Sequence, residues 1–345
     1  MKIYENQKYL EEISEFSKGI DLSFFENKTI LIAGACGLVM SYLIDTLLCD
    51  KTRKINIISI VYSSLDKKRF DSNDKRMIFV EGDVINPKTF ENIDQHIDIV
   101  INAASIVDPK GYKERPIDTM LINIYGSKNL LDLAVKNKAV FLLISSCEIY
   151  GEADVNLIKE DYCGKLNSME VRSCYNESKR ACETLAVSYS TEKGIKILVA
   201  RLSRTFGPTQ SPYDTKALSQ FMKNAILGED VVLTSPGEQL FSYTYVQDIV
   251  SGLLTILHKG ESKNAYNVCG RERLKLKEVA QICASYNNKE VVYNLKNDAF
   301  NEHGYSKASL AIQDPTKVES LGWGAKVRLK DGIIRTIQIL KELYY

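Results

Sequence analysis

A chain of 345 residues is long enough for one large α/β domain with a smaller lobe, since domains commonly run to roughly 100–200 residues. Hydrophobic residues make up 45% and charged residues 26%, a globular balance that excludes a disordered chain. The net charge of +1 gives no electrostatic footprint for nucleic acid or an anionic membrane, so neither is an expected partner.

The 8 cysteines form no CxxC pair and read as reduced thiols, which makes the cytoplasm the expected location. With 3 histidines, no metal site is expected. The N-terminal stretch MKIYENQKYLEEISEF is charged and lacks an apolar signal core. The longest apolar region, Ile30 to Ile44, is too short to span a bilayer.

Residues 1–27 read as a helical lead-in, carried by Tyr9-Leu10-Glu11-Glu12-Ile13. Lys28 to Ala33 is the apolar run of a strand covered on both faces, and it ends at Gly34. A helix is predicted from about Leu38 to Leu48. Ile55–Tyr62, Met77–Val80, Ile97–Asn102, Val140–Ser145 and Ile195–Ala200 repeat the strand pattern, separated by helix-like segments such as Asn123–Asn137. Strands alternating with helices predict an α/β fold with a Rossmann-type, doubly wound parallel sheet. Beyond Arg201 the rhythm breaks at Gly207-Pro208, Ser211-Pro212 and Ser235-Pro236-Gly237. The predicted division is a dinucleotide-binding domain of 28–203 plus 236–261, and a smaller α/β C-terminal substrate lobe of 204–235 plus 262–345. A helix over 245–260 returns to the main domain.

Gly34-Ala35-Cys36-Gly37 fits the first strand-to-helix turn of a dinucleotide fold. One glycine permits the tight turn and the next lets the backbone approach a pyrophosphate at the helix N-terminus. The usual third glycine is replaced by Met40, and a glycine turn of another α/β fold is the alternative. Asp83 and Val84 follow the third strand and Asn102-Ala103-Ala104-Ser105 follows the fourth, at the carboxyl ends where a doubly wound sheet opens its crevice. For Asp83 a helix N-cap is the competing role. The predicted cofactor set is completed by Cys36, Leu38, Ser63 and Asn123. At the end of the second strand, Val61 to Arg69 offers hydroxyls and cations in place of the acid typical of NAD folds. NADP is therefore the alternative to NAD, unless Lys67, Lys68 and Arg69 form a solvated helix face.

Tyr175 and Lys179 stand four apart, on one face of a predicted helix. A nearby ammonium favours the phenolate and lowers a tyrosine from its ordinary value of about 10. Such a phenolate is a base able to take a proton from a sugar hydroxyl while a nicotinamide takes the hydride.

The order Gly34-x-x-Gly37, Asp83, Asn102-Ala-Ala, Ser146, Tyr175-x-x-x-Lys179 and Phe206-Gly207-Pro208 resembles the extended short-chain dehydrogenase/reductase superfamily, the NAD-dependent epimerase/dehydratase family, over residues 28 to 340. The stretches Ser146-Cys147-Glu148-Ile149-Tyr150-Gly151 and Arg172-Ser173-Cys174-Tyr175-Asn176-Glu177-Ser178-Lys179-Arg180 look most like UDP-glucuronate decarboxylases and nucleotide-sugar 4,6-dehydratases. The resemblance implies tightly bound NAD, a nucleotide-sugar substrate, a role in polysaccharide biosynthesis and a homodimer. Tyr175 would remove the C4 hydroxyl proton, Lys179 would hold the nicotinamide ribose and Ser146 would bind the C4 oxygen. Glu148 would serve the C5/C6 step, or be a solvent-facing loop carboxylate. Cys147 stands where dehydratases keep an acid, and Cys174 resembles the decarboxylase pattern.

Tyr112 could contact the sugar or be a surface aromatic. Arg204 and Tyr243 are expected on the substrate side. Relatives usually carry Asn at Arg204 and Arg at Phe241, and the late arginine of decarboxylases has no match around Ser309 to Pro315. Arg204 could take over a phosphate, since a guanidinium forks onto that group. Its alternative is an ordinary salt bridge. A 4-epimerase, an NADP-dependent 4-keto-sugar reductase and a non-catalytic sensor are the competing readings.

Overall fold

The computed structural model describes residues 3–63, 66–70, 74–295 and 310–344; Ser64 and Leu65 of the ribose stretch and Ser309 lie outside them. The first half of the chain builds strands β1 (Thr29–Ala33), β2 (Asn56–Val61), β3 (Met77–Glu81), β4 (Ile99–Asn102), β5 (Val140–Ser146) and β6 (Ile197–Leu202). Their Ile, Leu and Val side chains are almost all buried, as a sheet covered on both faces requires. Three short strands follow, β7 (Arg204–Phe206), β8 (Val231–Leu233) and β9 (Leu240–Tyr245), then β10 (Asn264–Val268). The main sheet has 7 parallel strands in the order β10-β6-β5-β4-β1-β2-β3. The chain walks outward from β1 to β3, then crosses back to lay β4 beside β1. That reversal opens the crevice in which doubly wound folds bind ligands.

Two segments lie elsewhere than the sequence predicts. The predicted lobe segment 262–345 contains β10, which pairs with β6 from Asn264↔Leu198 to Val268↔Leu202 and so extends the main sheet. Its sequence Asn-Ala-Tyr-Asn-Val lacks the apolar run that marks the central strands. Conversely, β9 was assigned with the main domain, but it pairs with β7, with β11 (Arg273–Lys275) and, through its parallel register, with the strand at Leu310–Ala311. Helix α7, defined below, does return to the main body.

The helices are α1 (Gln7–Lys18), α2 (Leu38–Leu48), α3 (Pro109–Glu114), α4 (Pro116–Asn137), α5 (Ser173–Lys193), α6 (Ala217–Leu227), α7 (Val246–Lys259), α8 (Leu276–Ser285) and a C-terminal α9 (Leu329–Tyr344). Helix α4 begins a full two turns before the predicted Asn123. Pro116 sits in its first turn, where a missing N–H costs nothing. The lead-in helix α1 packs on α2, with Tyr9 and Ile13 in the core. All 8 cysteines are free thiols. Among the described residues no helix is long and apolar enough to cross a membrane.

Candidate active site

The turn between β1 and α2 is built for close approach. Gly34 has φ +78°, and a β-carbon there would fall 2.6 Å from the Ala103 carbonyl oxygen at the end of β4. Gly37 is the N-cap of α2. The two crevice walls thus meet through bare backbone at a helix N-terminus without a side-chain cap, which fits a dinucleotide pyrophosphate. Met40 is 1% exposed and packs in the core where a third glycine would give clearance. The Leu38 carbonyl accepts from Thr209 at 2.7 Å, tying the turn to the loop after Gly207. Cys36 is half-buried within the turn.

On the β4 side, Asn102 is buried, donates to Ser127 at 2.9 Å and accepts from the Ala104 N–H. Asn123 is buried on α4 and donates to Thr119 O and Ser178 Oγ, each at 2.9 Å, so its amide group joins α4 to α5. Asp83 accepts from the Ile85 N–H at 3.0 Å, forming a local turn. Val84 is buried against Gly126 of α4.

Two of the three cations at the end of β2 are engaged by acids. Arg69 is 8% exposed and pairs with Asp45 of α2 at 2.6 Å, while Lys67 pairs with Glu81 at 3.1 Å. Tyr4 and Tyr9 donate to the same Asp45 carboxylate. The run is therefore not a uniformly solvated face: Arg69 turns inward, and two of its three charges are already neutralised. Ser63 lies in the loop just past β2.

Across the crevice, β5 delivers Ser146 and a one-turn helix carries Cys147 and Glu148. Helix α5 delivers Tyr175 and Lys179 one turn apart, and both are buried. Ser146 faces Tyr175, and its hydroxyl accepts from the Glu148 N–H at 3.2 Å. The Lys179 ammonium lies 5.8 Å from the Tyr175 ring centre and donates to the Ile144 carbonyl at 2.9 Å. Burial pushes the Tyr175 hydroxyl well above its ordinary value. The Ser146 hydroxyl opposes this, Glu148 and Cys147 add to it, and Arg172 opposes it. Desolvation is thus the largest influence on Tyr175, and the Lys179 ammonium, expected to lower it, gives one hydrogen bond to a backbone carbonyl. Burial also lowers Lys179 itself.

Tyr112, from α3, is not a surface aromatic: it is 5% exposed and stacks on Tyr175, centroids 4.8 Å apart and planes 26° from parallel. Cys174 lies 3.8 Å from the Tyr112 carbonyl oxygen. Glu148 is no solvent-facing carboxylate either. It takes Arg172 at 2.9 Å on one oxygen and Arg204 at 3.4 Å on the other, with its side chain 16% exposed. The Arg204 guanidinium carbon lies 3.8 Å from the centre of the Phe241 ring, and its Nε is buried without a partner. Arg204 and Phe241, two of the positions where the sequence departs from the pattern it resembles, are therefore in contact. Tyr243 is buried edge-on to Phe241 and is pushed up to about 12 by burial. Cys147 is buried and pushed up to about 11, chiefly by desolvation and then by Glu148.

Arg172 is the functional candidate that sequence reasoning passed over. It stood in the quoted motif three residues before Tyr175, but nothing in the sequence says that it reaches Glu148, Tyr112 and Asn176 together.

A parallel sheet with its switch point at β1/β4, a glycine turn and a Ser-Tyr-Lys set define a Rossmann-type enzyme of the short-chain dehydrogenase class. Residues 30–269 match the profile of the NAD dependent epimerase/dehydratase family, and the chain belongs to that family. It is 30% identical over 309 residues to UDP-glucuronic acid decarboxylase 5 of Arabidopsis thaliana, covering 89% of this chain and 87% of that one. It is 31% identical to UDP-glucuronic acid decarboxylase 1 of Danio rerio, over 92% of this chain and 73% of the relative. Among solved structures it is similar to the UDP-glucose 4-epimerase of Thermotoga maritima, with TM-score 0.81 and 24% identity over 92% of this chain and 100% of that one. It is also similar to the dTDP-glucose 4,6-dehydratase of Bacillus anthracis in complex with NAD, with TM-score 0.78 and 20% identity over 91% and 97%. At these identities the solved structures speak for the fold. The family dependence on NAD agrees with the two neutralised cations at the end of β2.

Proposed function

We propose that this chain oxidises the sugar of a nucleotide sugar at C4 and then removes a group at C5/C6, with a nucleoside-diphosphate uronate as substrate and decarboxylation as the second step. The observation that carries this reading is the grouping of Ser146, Tyr175 and Glu148 at one strand end, with Cys147 between them. A buried thiol pushed up to about 11 is too weak an acid to protonate a departing hydroxyl, which favours loss of a carboxylate over dehydration. The similarity to UDP-glucuronic acid decarboxylases supports the same choice.

Gly34, Gly37 and the Asn102–Ala104 strand end would hold the dinucleotide, and Lys179 would face its ribose. When bound, NAD supplies the hydride acceptor at C4. Tyr175 takes the C4 hydroxyl proton, with Ser146 holding that oxygen. Glu148 handles the proton at C5. Tyr112, Arg204 and Tyr243 line the sugar and phosphate side. The Rossmann part carries the cofactor and the second sheet with its helices carries the nucleotide.

The test is the purified protein, loaded with NAD, given UDP-glucuronate and followed by mass. Loss of carbon dioxide is expected. Loss of water would assign a 4,6-dehydratase, and an unchanged mass a 4-epimerase. Glu148→Gln sharpens the choice, because it should still reduce bound NAD and release carbon dioxide but be slow to protonate C5 and return the hydride, so that reduced cofactor accumulates, whereas an epimerase needs no acid there. Tyr175→Phe should lower turnover by about 10²–10⁴-fold, the usual contribution of a positioned base.

We also propose a homodimer in the cytoplasm, built on α4. Ile117, Met120, Leu121 and Tyr125 recur at helical spacing and are all exposed.

A further inference from the structure

Arg172, at the N-cap of α5, touches Glu148 directly and reaches Tyr175 through Tyr112. Its Nη2 donates to Glu148 Oε2 at 2.9 Å, and its guanidinium carbon lies 4.5 Å from the centre of the Tyr112 ring. Tyr112 in turn stacks on Tyr175 at 4.8 Å. The result is a column of guanidinium, phenol and phenol, with a carboxylate bound to its charged end. Asn176 locks the arrangement, accepting from Arg172 Nη1 at 2.7 Å and donating to the Glu148 carbonyl at 2.5 Å.

We propose that Arg172 is a positioning residue that screens Glu148 from Tyr175, so that the phenol can ionise beside a carboxylate the second step requires. This rests on the reading of Tyr175 as the C4 base. Without the arginine, the Glu148 carboxylate and the phenolate formed at the oxidation step would face each other inside a desolvated pocket, where like charges strongly disfavour ionisation. The groups facing Tyr175 are Ser146, Cys147 and Glu148 from the β5 end, Tyr112 from α3, and Arg172, Cys174 and Lys179 from α5. Of the cations, Lys179 is committed to the Ile144 carbonyl, and Arg204 holds the far oxygen of Glu148 at a looser 3.4 Å while stacked on Phe241. Arg172 makes the shorter of the two hydrogen bonds to the carboxylate and overlies the phenol stack. Its charge opposes, and that of Glu148 reinforces, the upward push of burial on Tyr175.

The test is the pH dependence of single-turnover reduction of bound NAD by UDP-glucuronate, across the neutral and alkaline range. In Arg172→Gln the rising limb should move up by about one pH unit, a roughly tenfold loss of rate at neutral pH. Arg172→Lys should fall between it and the wild type. Adding Glu148→Gln to Arg172→Gln should move the limb back, because the charge to be screened is gone. A purely structural Arg172 would give no shift, or a loss that the second substitution deepens, and either result overturns the proposal. A second readout needs no sugar: the ultraviolet tyrosinate signal of NAD-loaded protein, assigned by its loss in Tyr175→Phe, should show the same shift and the same rescue. If UDP-glucuronate never reduces NAD in the wild type, the proposed substrate falls while the tyrosinate titration still decides the role of Arg172.

Discussion

Gly34 and Gly194 share a left-handed backbone, at φ +78° and +74°, but differ in surroundings: an added β-carbon meets the Ala103 carbonyl at 2.6 Å in the first and nothing within 4 Å in the second. Alanine at Gly194 should therefore cost about 1 kcal/mol, the backbone penalty alone. At Gly34 the clash between the two crevice walls adds to it, and the loss should reach about 3 kcal/mol, together with loss of retained NAD. Urea midpoints of the two variants, with the dinucleotide released on denaturation, check both numbers. Tyr175 carries a second expectation at this scale. Because burial raises its hydroxyl, only a small fraction is phenolate at neutral pH. The rate of NAD reduction should climb about tenfold per pH unit through the neutral range, with no plateau until well into alkali. A plateau near neutrality would mean that the bound cofactor or Lys179 outweighs desolvation.

At the scale of elements, one carboxylate of the lead-in helix α1 gathers partners from three others. Glu12 accepts from Tyr42 of α2 at 2.7 Å and from Tyr245 at the end of β9 at 2.7 Å, and pairs with Arg335 of α9 at 3.4 Å. It thereby joins the cofactor helix, the second sheet and the C-terminal helix. Glu12→Ala should cost about 3 kcal/mol, since it strands two buried phenols and a cation. Burial raises the Glu12 carboxyl above its ordinary 4.5, against the hydrogen bonds of Tyr245 and Tyr42 and the charge of Arg335. An acid that holds its proton more tightly folded than unfolded makes a contribution that falls as pH rises, from 4.5 through the raised folded value. Stability measured in urea over that interval should decline less steeply in Glu12→Gln than in the wild type. None of this was legible in the sequence, which showed 1–27 as a helix outside the main repeat. The central strands were legible because burial on both faces demands unbroken Ile, Leu and Val, as in Thr29–Ala33 and Val140–Ser146. Edge strand β10 was not, because it carries Asn264 and Asn267 in place of an apolar run; Asn267 is buried and satisfied by Tyr150 and the Ile158 carbonyl, contacts the sequence does not display. The same divide runs through the site. Gly34, Ser146, Tyr175 and Lys179 sit at spacings that local geometry dictates. The clamp of Arg172 and Arg204 on Glu148 joins three separate stretches of chain, a contact made only by the tertiary fold.

For the molecule as a whole, the exposed face of α4 is the feature that the single chain leaves without a purpose. Ile117 is 71% and Tyr125 52% exposed, with Met120 and Leu121 between them on the same side. Helix α5, packed alongside, exposes Val187 as well. Positions i, i+3, i+4 and i+8 on one long helix make a stripe rather than a scatter, and contiguous apolar stripes mark interaction surfaces. The near-neutral net charge of +1 gives copies of the chain little repulsion to overcome. Two such stripes are self-complementary under a two-fold axis, the commonest symmetry of soluble oligomers. Sedimentation should therefore give a dimer. Leu121→Arg with Tyr125→Arg should shift it to monomer, weakening association by about a hundredfold or more, since a charge buried unpaired in an interface costs 2–5 kcal/mol by the usual order of magnitude, about 1.4 per factor of ten. The parallel sheet lies behind α4 and is untouched by either change, so the circular dichroism of the variant should match that of the wild type. A wild-type chain that sediments as a monomer at micromolar concentration would remove the dimer from the proposal and leave the stripe to a different partner.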